Sequence, residues 1–342
     1  MTAESEWMTA ERRNAFSRWW PRLRVLISLG LLALVLSQID LARVALVLGE
    51  ARLGLLALAV AVYVAGRFFA AFRWHLLIRA MNADAPYLGL VRLTFIGMFL
   101  QFLPAGTVAL EASRVDGLRR ETEDLAGSVA SVLAERVFGL FALIVVALVG
   151  LSLAPPGVPP ALARLAGFGM AAAAVGCIAV MSTRSRDLLD RALRALGLEI
   201  VRERLGKLYI RLDTMRGHPA LLAWSLAAAL FNTSFRIVPA YLVALAIGVQ
   251  VSLLQLFIIV PIIVFAQQIP ISVGGLGVRE VGWVALLGVI GVPASDAVVL
   301  SLLLVGVILV TSLPGAWLYA RHGLEAPGSP QGESPENPSG GD

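Results

Sequence analysis

Apolar runs close to twenty residues long recur along this chain, separated by short segments rich in arginine. A helix needs roughly twenty apolar residues to cross the ~30 Å hydrocarbon core of a bilayer. Few features constrain a fold as tightly, because lipid offers no partner to a backbone N–H or C=O and admits only helices and closed barrels. Of the 342 residues, 58% are hydrophobic and 15% charged, with a mean hydropathy of +0.82. Soluble domains carry roughly 25% charged residues. This balance excludes a soluble globular domain and a disordered chain, and the single Cys177 excludes a disulfide-rich scaffold. An all-α polytopic membrane protein is expected, with room for roughly six to nine membrane segments and none for a large soluble catalytic domain.

The formal charge is +5, from 28 Lys+Arg against 23 Asp+Glu, and Lys207 is the only lysine. The basic residues lie between apolar spans, where they set orientation, so nucleic acid is not an expected partner. The first run, Leu23–Ile39, carries Arg12, Arg13, Arg18, Arg22 and Arg24 at its start and no small-residue cleavage site at its end. It reads as a retained helix behind a basic cytoplasmic N-terminus, residues 1–22. Further spans are expected at Leu53–Phe72, Val137–Ala154, Leu165–Met181, Ala220–Gly248 and Ala297–Tyr319, within a membrane domain over 23–322. The tail, 323–342, is rich in Pro, Gly, Ser and acidic residues and is expected to be disordered.

Two apolar stretches do not read as simple crossings. Leu93–Leu110 is interrupted by Pro104-Ala105-Gly106, and Leu253–Ile290 holds Pro270 and Gly274-Gly275-Leu276-Gly277 near its middle. Were Leu93–Leu110 a crossing, the segment Thr183–Pro219 with its nine Lys+Arg would lie outside. A hairpin that enters and returns on the inner side instead puts 21 of the 28 basic residues inside, three outside (Arg43, Arg52, Arg164) and four in membrane segments. Cytoplasmic loops carry such an excess. Between Glu280 and Asp296 lie only 15 residues, about 22 Å of helix, which is too short to cross. The expected plan is six full spans, two re-entrant hairpins entering from opposite faces, and both termini in the cytoplasm of a bacterial inner membrane.

The two breaks resemble each other. Phe99-Leu100-Gln101-Phe102-Leu103-Pro104 and Phe265-Ala266-Gln267-Gln268-Ile269-Pro270 share Phe-x-Gln-x-(Leu/Ile)-Pro, and Glu and Arg residues follow each. Broken helices in an inverted repeat, meeting near the midplane, are a recurring transporter plan. Pro104, Gly106, Pro270, Gly274, Gly275 and Gly277 are the residues expected to break the helices, since Pro removes a donor and Gly admits conformations closed to other residues. The free N–H groups of such a break suit a phosphate, or simply form a turn without a ligand.

Arg67, Glu111, Arg114, Glu135, Arg136, Arg236, Arg279 and Glu280 fall within or at the edge of membrane segments. Each costs about 2.5–3.5 kcal/mol at mid-helix on insertion scales. Arg114, Arg136, Arg236 and Arg279 are candidate phosphate ligands, because a guanidinium fork can hold two oxygens. Glu111, Glu135 and Glu280 are candidates for charge balance or proton coupling, with mutual pairing as the structural alternative. Arg67 lies near the end of its span and is expected to snorkel outward. The segment 183–219 alternates Leu with Arg and suits an anionic leaflet, first of all as a topology anchor. His75, His218 and His322 lack metal-ligand spacing, and no nucleophile elbow or phosphate-binding loop occurs. No metal or cofactor is expected.

The segments Leu103-Pro104…Glu111-Ala112-Ser113-Arg114, Ser131-Val132-Leu133-Ala134-Glu135-Arg136 and Pro270…Gly274-Gly275-Leu276-Gly277-Val278-Arg279-Glu280 resemble the lysylphosphatidylglycerol synthase transmembrane-region family, as does Arg73-Trp74. The resemblance covers about residues 20–322. It implies the moving or handling of polar lipids, notably aminoacylated phosphatidylglycerol, by flippase-like membrane proteins. Leu110 stands where the family commonly has Gly, and the soluble aminoacyl-transferring domain of the full synthases is missing, so synthesis by this chain alone is not expected. The leading expectation is a translocase for a membrane phospholipid or glycolipid, working without nucleotide and open to homo-oligomerisation. Its rivals are an accessory subunit that presents lipid to a partner lipid-modifying enzyme, and a membrane transferase using a buried carboxylate.

Overall fold

The computed structural model describes residues 49–102, 106–153, 182–195, 198–268 and 277–322, with isolated positions between 164 and 175. Ten helices are found among them: α1 Leu53–Ala80, α2 Tyr87–Leu100, α3 Gly106–Thr122, α4 Leu125–Ser152, α5 Thr183–Ala195, α6 Glu199–Arg216, α7 Pro219–Ala246, α8 Leu253–Ala266, α9 Val278–Val289 and α10 Ala294–His322. Four of them, α1, α4, α7 and α10, are long and apolar enough to cross a membrane, with mean hydropathies of 1.4 to 2.5 over their most apolar windows. A helix of 28 residues spans about 42 Å. Phe72, Phe141, Trp224, Phe231, Leu313 and Trp317 stand exposed on these helices, as side chains facing lipid would. The chain is thus an integral membrane protein with an all-helical body. Two of the six expected spans, Leu23–Ile39 and most of Leu165–Met181, lie outside the described residues, as do the N-terminus and the tail.

Helices α1 and α4 run further than the apolar runs that announced them. The run ending at Phe72 continues as helix through Arg73, Trp74 and His75 to Ala80, and α4 begins at Leu125 rather than Val137. Several of their polar groups are paired inside the fold. Trp74 Nε1 donates to the Ser131 hydroxyl at 3.0 Å, and Ser131 donates to the Ser128 carbonyl at 2.8 Å. Asp124 caps α4 by accepting from the Gly127 N–H, and Arg211 of α6 reaches the same carboxylate at 2.8 Å. Ser295 lies within the first turn of α10.

The described part divides into two runs of four helices, α1 to α4 and α7 to α10. Element for element they keep a constant separation of 166 residues as far as the first arm of each hairpin, from Leu53 and Pro219 through Tyr87 and Leu253 to Gln101 and Gln267. The turns repeat as well. Gln101 N–H donates to Gly97 O and Gln267 N–H to Ile263 O, each at 3.0 Å. The six described residues with positive φ fall into matching places: Asn82 and Gly248 after α1 and α7, Gly106 and Gly277 at the breaks, Glu123 and Gly291 before α4 and α10.

Packing between the runs follows the same pattern. α1 lies along α7, while the first arm of each hairpin packs on the last long helix of the other run, α2 on α10 and α8 on α4. Glycines allow the close approach. A Cβ on Gly66 would sit 2.5 Å from Phe235 Cβ, one on Gly150 2.8 Å from Phe257 Cβ, and one on Gly315 1.9 Å from the Phe95 carbonyl oxygen. The two hairpins are thereby held against a shared centre.

Candidate functional site

A cavity of about 200 Å³ opens at that centre, between α1, α2, α3, α4, α7 and α8. Helical periodicity places its charged lining. Arg67, Ala70 and Arg73 share one face of α1, Glu111 and Arg114 one face of α3, and Asn232 and Arg236 one face of α7. Gln101 and Gln267, the matching residues at the ends of α2 and α8, both line it with Gln268. Five guanidinium groups (Arg67, Arg73, Arg114, Arg136, Arg236) therefore meet two carboxylates (Glu111, Glu135), an excess of three positive charges.

Most of these charges are paired across helices. Glu135, 6% exposed, accepts from Arg73 Nη2 on one oxygen and from Arg114 Nη2 on the other. The Arg114 guanidinium stacks over the Trp74 ring at 4.0 Å, a cation–π contact that fixes its plane. Glu111 Oε1 accepts from Arg136 Nε at 3.1 Å and Nη2 at 2.7 Å, and Arg136 Nη1 donates to Gln268 Oε1 at 3.0 Å. Arg136 thus ties α3, α4 and α8 together. Glu111 Oε2 has no hydrogen-bond partner, though Arg114 Nη1 stands 3.8 Å away.

Arg67 and Arg236 are different. Arg67 does not snorkel; it is 7% exposed, lies over the Tyr63 ring at 4.6 Å, and its Nε and Nη2 have no hydrogen-bond partner. Among the described residues no carboxylate lies within ion-pair distance of Arg67 or Arg236. The Asn232 side-chain oxygen, also buried, is without a partner. Uncompensated buried charge is costly, so this end of the cavity is suited to an anion brought from outside.

Three of the four expected phosphate ligands, Arg114, Arg136 and Arg236, line this cavity; Arg279 does not. Arg279 and Glu280 sit at the start of α9 and close on each other, Nε and Nη2 donating to Glu280 Oε1 at 3.0 and 2.8 Å. The other oxygen of Glu280 accepts from the Gly277 N–H at 2.6 Å, and Ser301 lies 3.4 Å from the first. Glu280 therefore holds the turn at Gly277, whose φ of 83° favours glycine. Arg279 borders a smaller, mostly apolar cavity of about 70 Å³ that also touches Tyr63, Arg236, Gln267 and Trp283. Gly106, at φ 52°, begins α3. Pro104, Pro270, Gly274 and Gly275 lie outside the described residues.

Arg73 as a cavity residue and Arg67 as an unpaired one escaped the sequence reading. Arg73 was hidden because the apolar run stopped before it. Among the described residues no three His, Cys, Asp or Glu side chains come together as a metal site.

The family described as the lysylphosphatidylglycerol synthase TM region matches residues 22–315. The chain belongs to this family. The match spans all of the helices that build the cavity, so the charged centre lies within the family's membrane region rather than in an added segment. No curated protein and no solved structure matches the chain. Membership makes this an integral membrane protein of a lipid-related family.

Proposed function

We propose that this protein binds a polar, anionic lipid by its headgroup in the central cavity and moves it between leaflets without nucleotide hydrolysis. The observation that carries the reading is the pair of cavity guanidinium groups, Arg67 and Arg236, with no carboxylate within ion-pair distance among the described residues. Membrane proteins place such charges toward a cavity or pathway because lipid does not tolerate them. The family's name supports a lipid as the occupant.

In this reading the hairpins α2/α3 and α8/α9 are re-entrant. Helices of 14 residues, such as α2 and α8, reach about 21 Å, short of the ~30 Å core. The constant spacing of the two runs and their exchanged packing support an inverted repeat, with six full spans and both termini in the cytoplasm of a bacterial inner membrane. The headgroup enters between the hairpins while the acyl chains stay in lipid. With no nucleotide-binding loop in the chain, movement runs downhill or on an ion gradient. The occupied state of Glu135 and Glu280, each held by arginine, supports binding rather than use of either carboxylate as a transferase base.

The test is exchange of a fluorescent anionic lipid between leaflets of reconstituted vesicles. Wild-type protein should speed exchange above protein-free vesicles, and Arg236→Gln should slow it. Vesicles with no acceleration for any anionic lipid, from protein that still co-purifies with lipid, would remove translocation and leave presentation to a partner enzyme. Protein that retains no lipid would remove both.

A further inference from the structure

The cavity's charges can be followed group by group. Glu135 is shared by Arg73 and Arg114, a trio that keeps one positive charge in excess, and Glu111 answers Arg136. Arg67 and Arg236, from different helices, line the same cavity with no carboxylate in ion-pair contact among the described residues. They directly follow Gly66 and Phe235, which meet closely where α1 packs on α7. Asn232, one turn before Arg236, is 5% exposed and adds an amide whose oxygen is unused.

A singly charged phosphate diester would neutralise only one of the two guanidinium groups and leave the other uncompensated. A phosphate with two negative charges matches both, and its terminal oxygens suit a guanidinium fork on each side. Tyr63, beneath Arg67 at 4.6 Å, holds one fork in plane. The cavity's 200 Å³ equals the volume of roughly seven waters, enough for a phosphate and the start of its glycerol. Resting on the lipid-binding reading above, we propose that the seat between Arg67 and Arg236 takes a doubly charged phosphate monoester at the end of a lipid, in preference to the phosphate diester of an ordinary phospholipid.

The experiment is a native mass-spectrometry titration of the full-length protein with phosphatidic acid, phosphatidylglycerol and phosphatidylcholine, and separately with glycerol 3-phosphate and inorganic phosphate. Phosphatidic acid should bind about tenfold tighter than phosphatidylglycerol at pH 8, the worth of one added charge-assisted contact. The preference should shrink at pH 5, because a phosphate monoester loses its second charge near pH 6 and a diester does not titrate there. Arg67→Gln and Arg236→Gln should abolish the preference, whereas Arg119→Gln, on the surface, should keep it. Should both arginine variants fail to fold, Asn232→Asp keeps the packing and supplies an internal anion; it should raise thermal stability without ligand and erase the preference. Equal binding of the two anionic lipids at both pH values overturns the monoester seat and leaves the lipid-binding reading standing. Binding of glycerol phosphate or inorganic phosphate with no retained lipid keeps the doubly charged seat and overturns its lipid source and the lipid reading. Binding of nothing overturns both.

Discussion

The two hairpins share a backbone device and use their charges in opposite ways. In α2/α3 the returning arm sends Glu111 and Arg114 into the central cavity, where they bond with residues of α4. In α8/α9 the returning arm starts with Arg279 and Glu280, which neutralise each other, while Glu280 caps the turn at Gly277. The charges of the first break line the central cavity, and those of the second shape its own turn. A repeat of the fold therefore does not imply a repeat of the chemistry. The backbone turns match, yet Arg67 and Arg236 occupy non-equivalent places in their runs, since 166 residues after Arg67 stands Thr233. Backbone elements that match in spacing thus carry charge at positions that do not match.

The largest effects should come from the crossings that hold each hairpin to the other run. Gly315→Val strikes the backbone of α2, with its Cβ 1.9 Å from the Phe95 carbonyl oxygen, and should leave little monodisperse protein on size-exclusion chromatography. Gly150→Ala, whose Cβ would lie 2.8 Å from Phe257 Cβ, should cost roughly 1–3 kcal/mol, as overpacking does when neighbours can partly yield. Gly306→Ala has open space around it and should leave thermal unfolding unchanged. Equal behaviour of all three would break the exchanged-packing picture.

Next in size are the buried pairs, where the contrast between the hairpins can be measured. Glu135→Gln leaves two guanidinium groups without their shared anion and should cost about 3–5 kcal/mol. At the second break, Arg279→Gln and Glu280→Gln should each destabilise, and the double variant should cost less than their sum by about 0.5–3 kcal/mol. Lipid retention by that double variant, judged by mass spectrometry of the purified protein, should stay at the wild-type level. Loss of lipid there would mean that both breaks serve the ligand.

A smaller effect is expected at Arg136, which is part-exposed and bridges Glu111 and Gln268. Arg136→Gln should lower unfolding stability by about 1 kcal/mol, the usual worth of a hydrogen bond, and weaken lipid retention less than Arg236→Gln does. Smallest of all is the response of the α5/α6 pair to pH. Hydrogen bonds from Arg202 and Arg194 hold the Asp190 carboxyl below its ordinary value. A lowered carboxyl pKa stabilises above the unfolded-state value, near 4, and that contribution disappears as pH falls through the lowered one. Hydrogen exchange in α5 and α6 should therefore be flat from pH 7 to 5, after correction for intrinsic rates, and loosen only below about pH 4.

The membrane class and the four long helices followed from the sequence, because burial in lipid demands runs of apolar residues and the chain cannot hide them. The match between Phe99–Pro104 and Phe265–Pro270 likewise pointed to the two helix ends that meet at one cavity, since Gln101 and Gln267 close their helices by the same hydrogen bonds. The sequence also flagged Glu111, Arg114, Glu135 and Arg136 as a group, because charges in apolar surroundings need partners. The further partners that join this group, Arg73 and Gln268, were not legible. Arg73 and Glu135 are 62 residues apart, Arg136 and Gln268 are 132 apart, and no local pattern encodes such distances. Arg67 was misread for the same reason: a charge near the end of a span snorkels or turns inward according to what packs beside it, and only the crossing at Gly66 and Phe235 decided that. Local chemistry thus determined which residues had to avoid lipid, whereas helix packing over long sequence separations decided which of them were paired and which two have no carboxylate in contact.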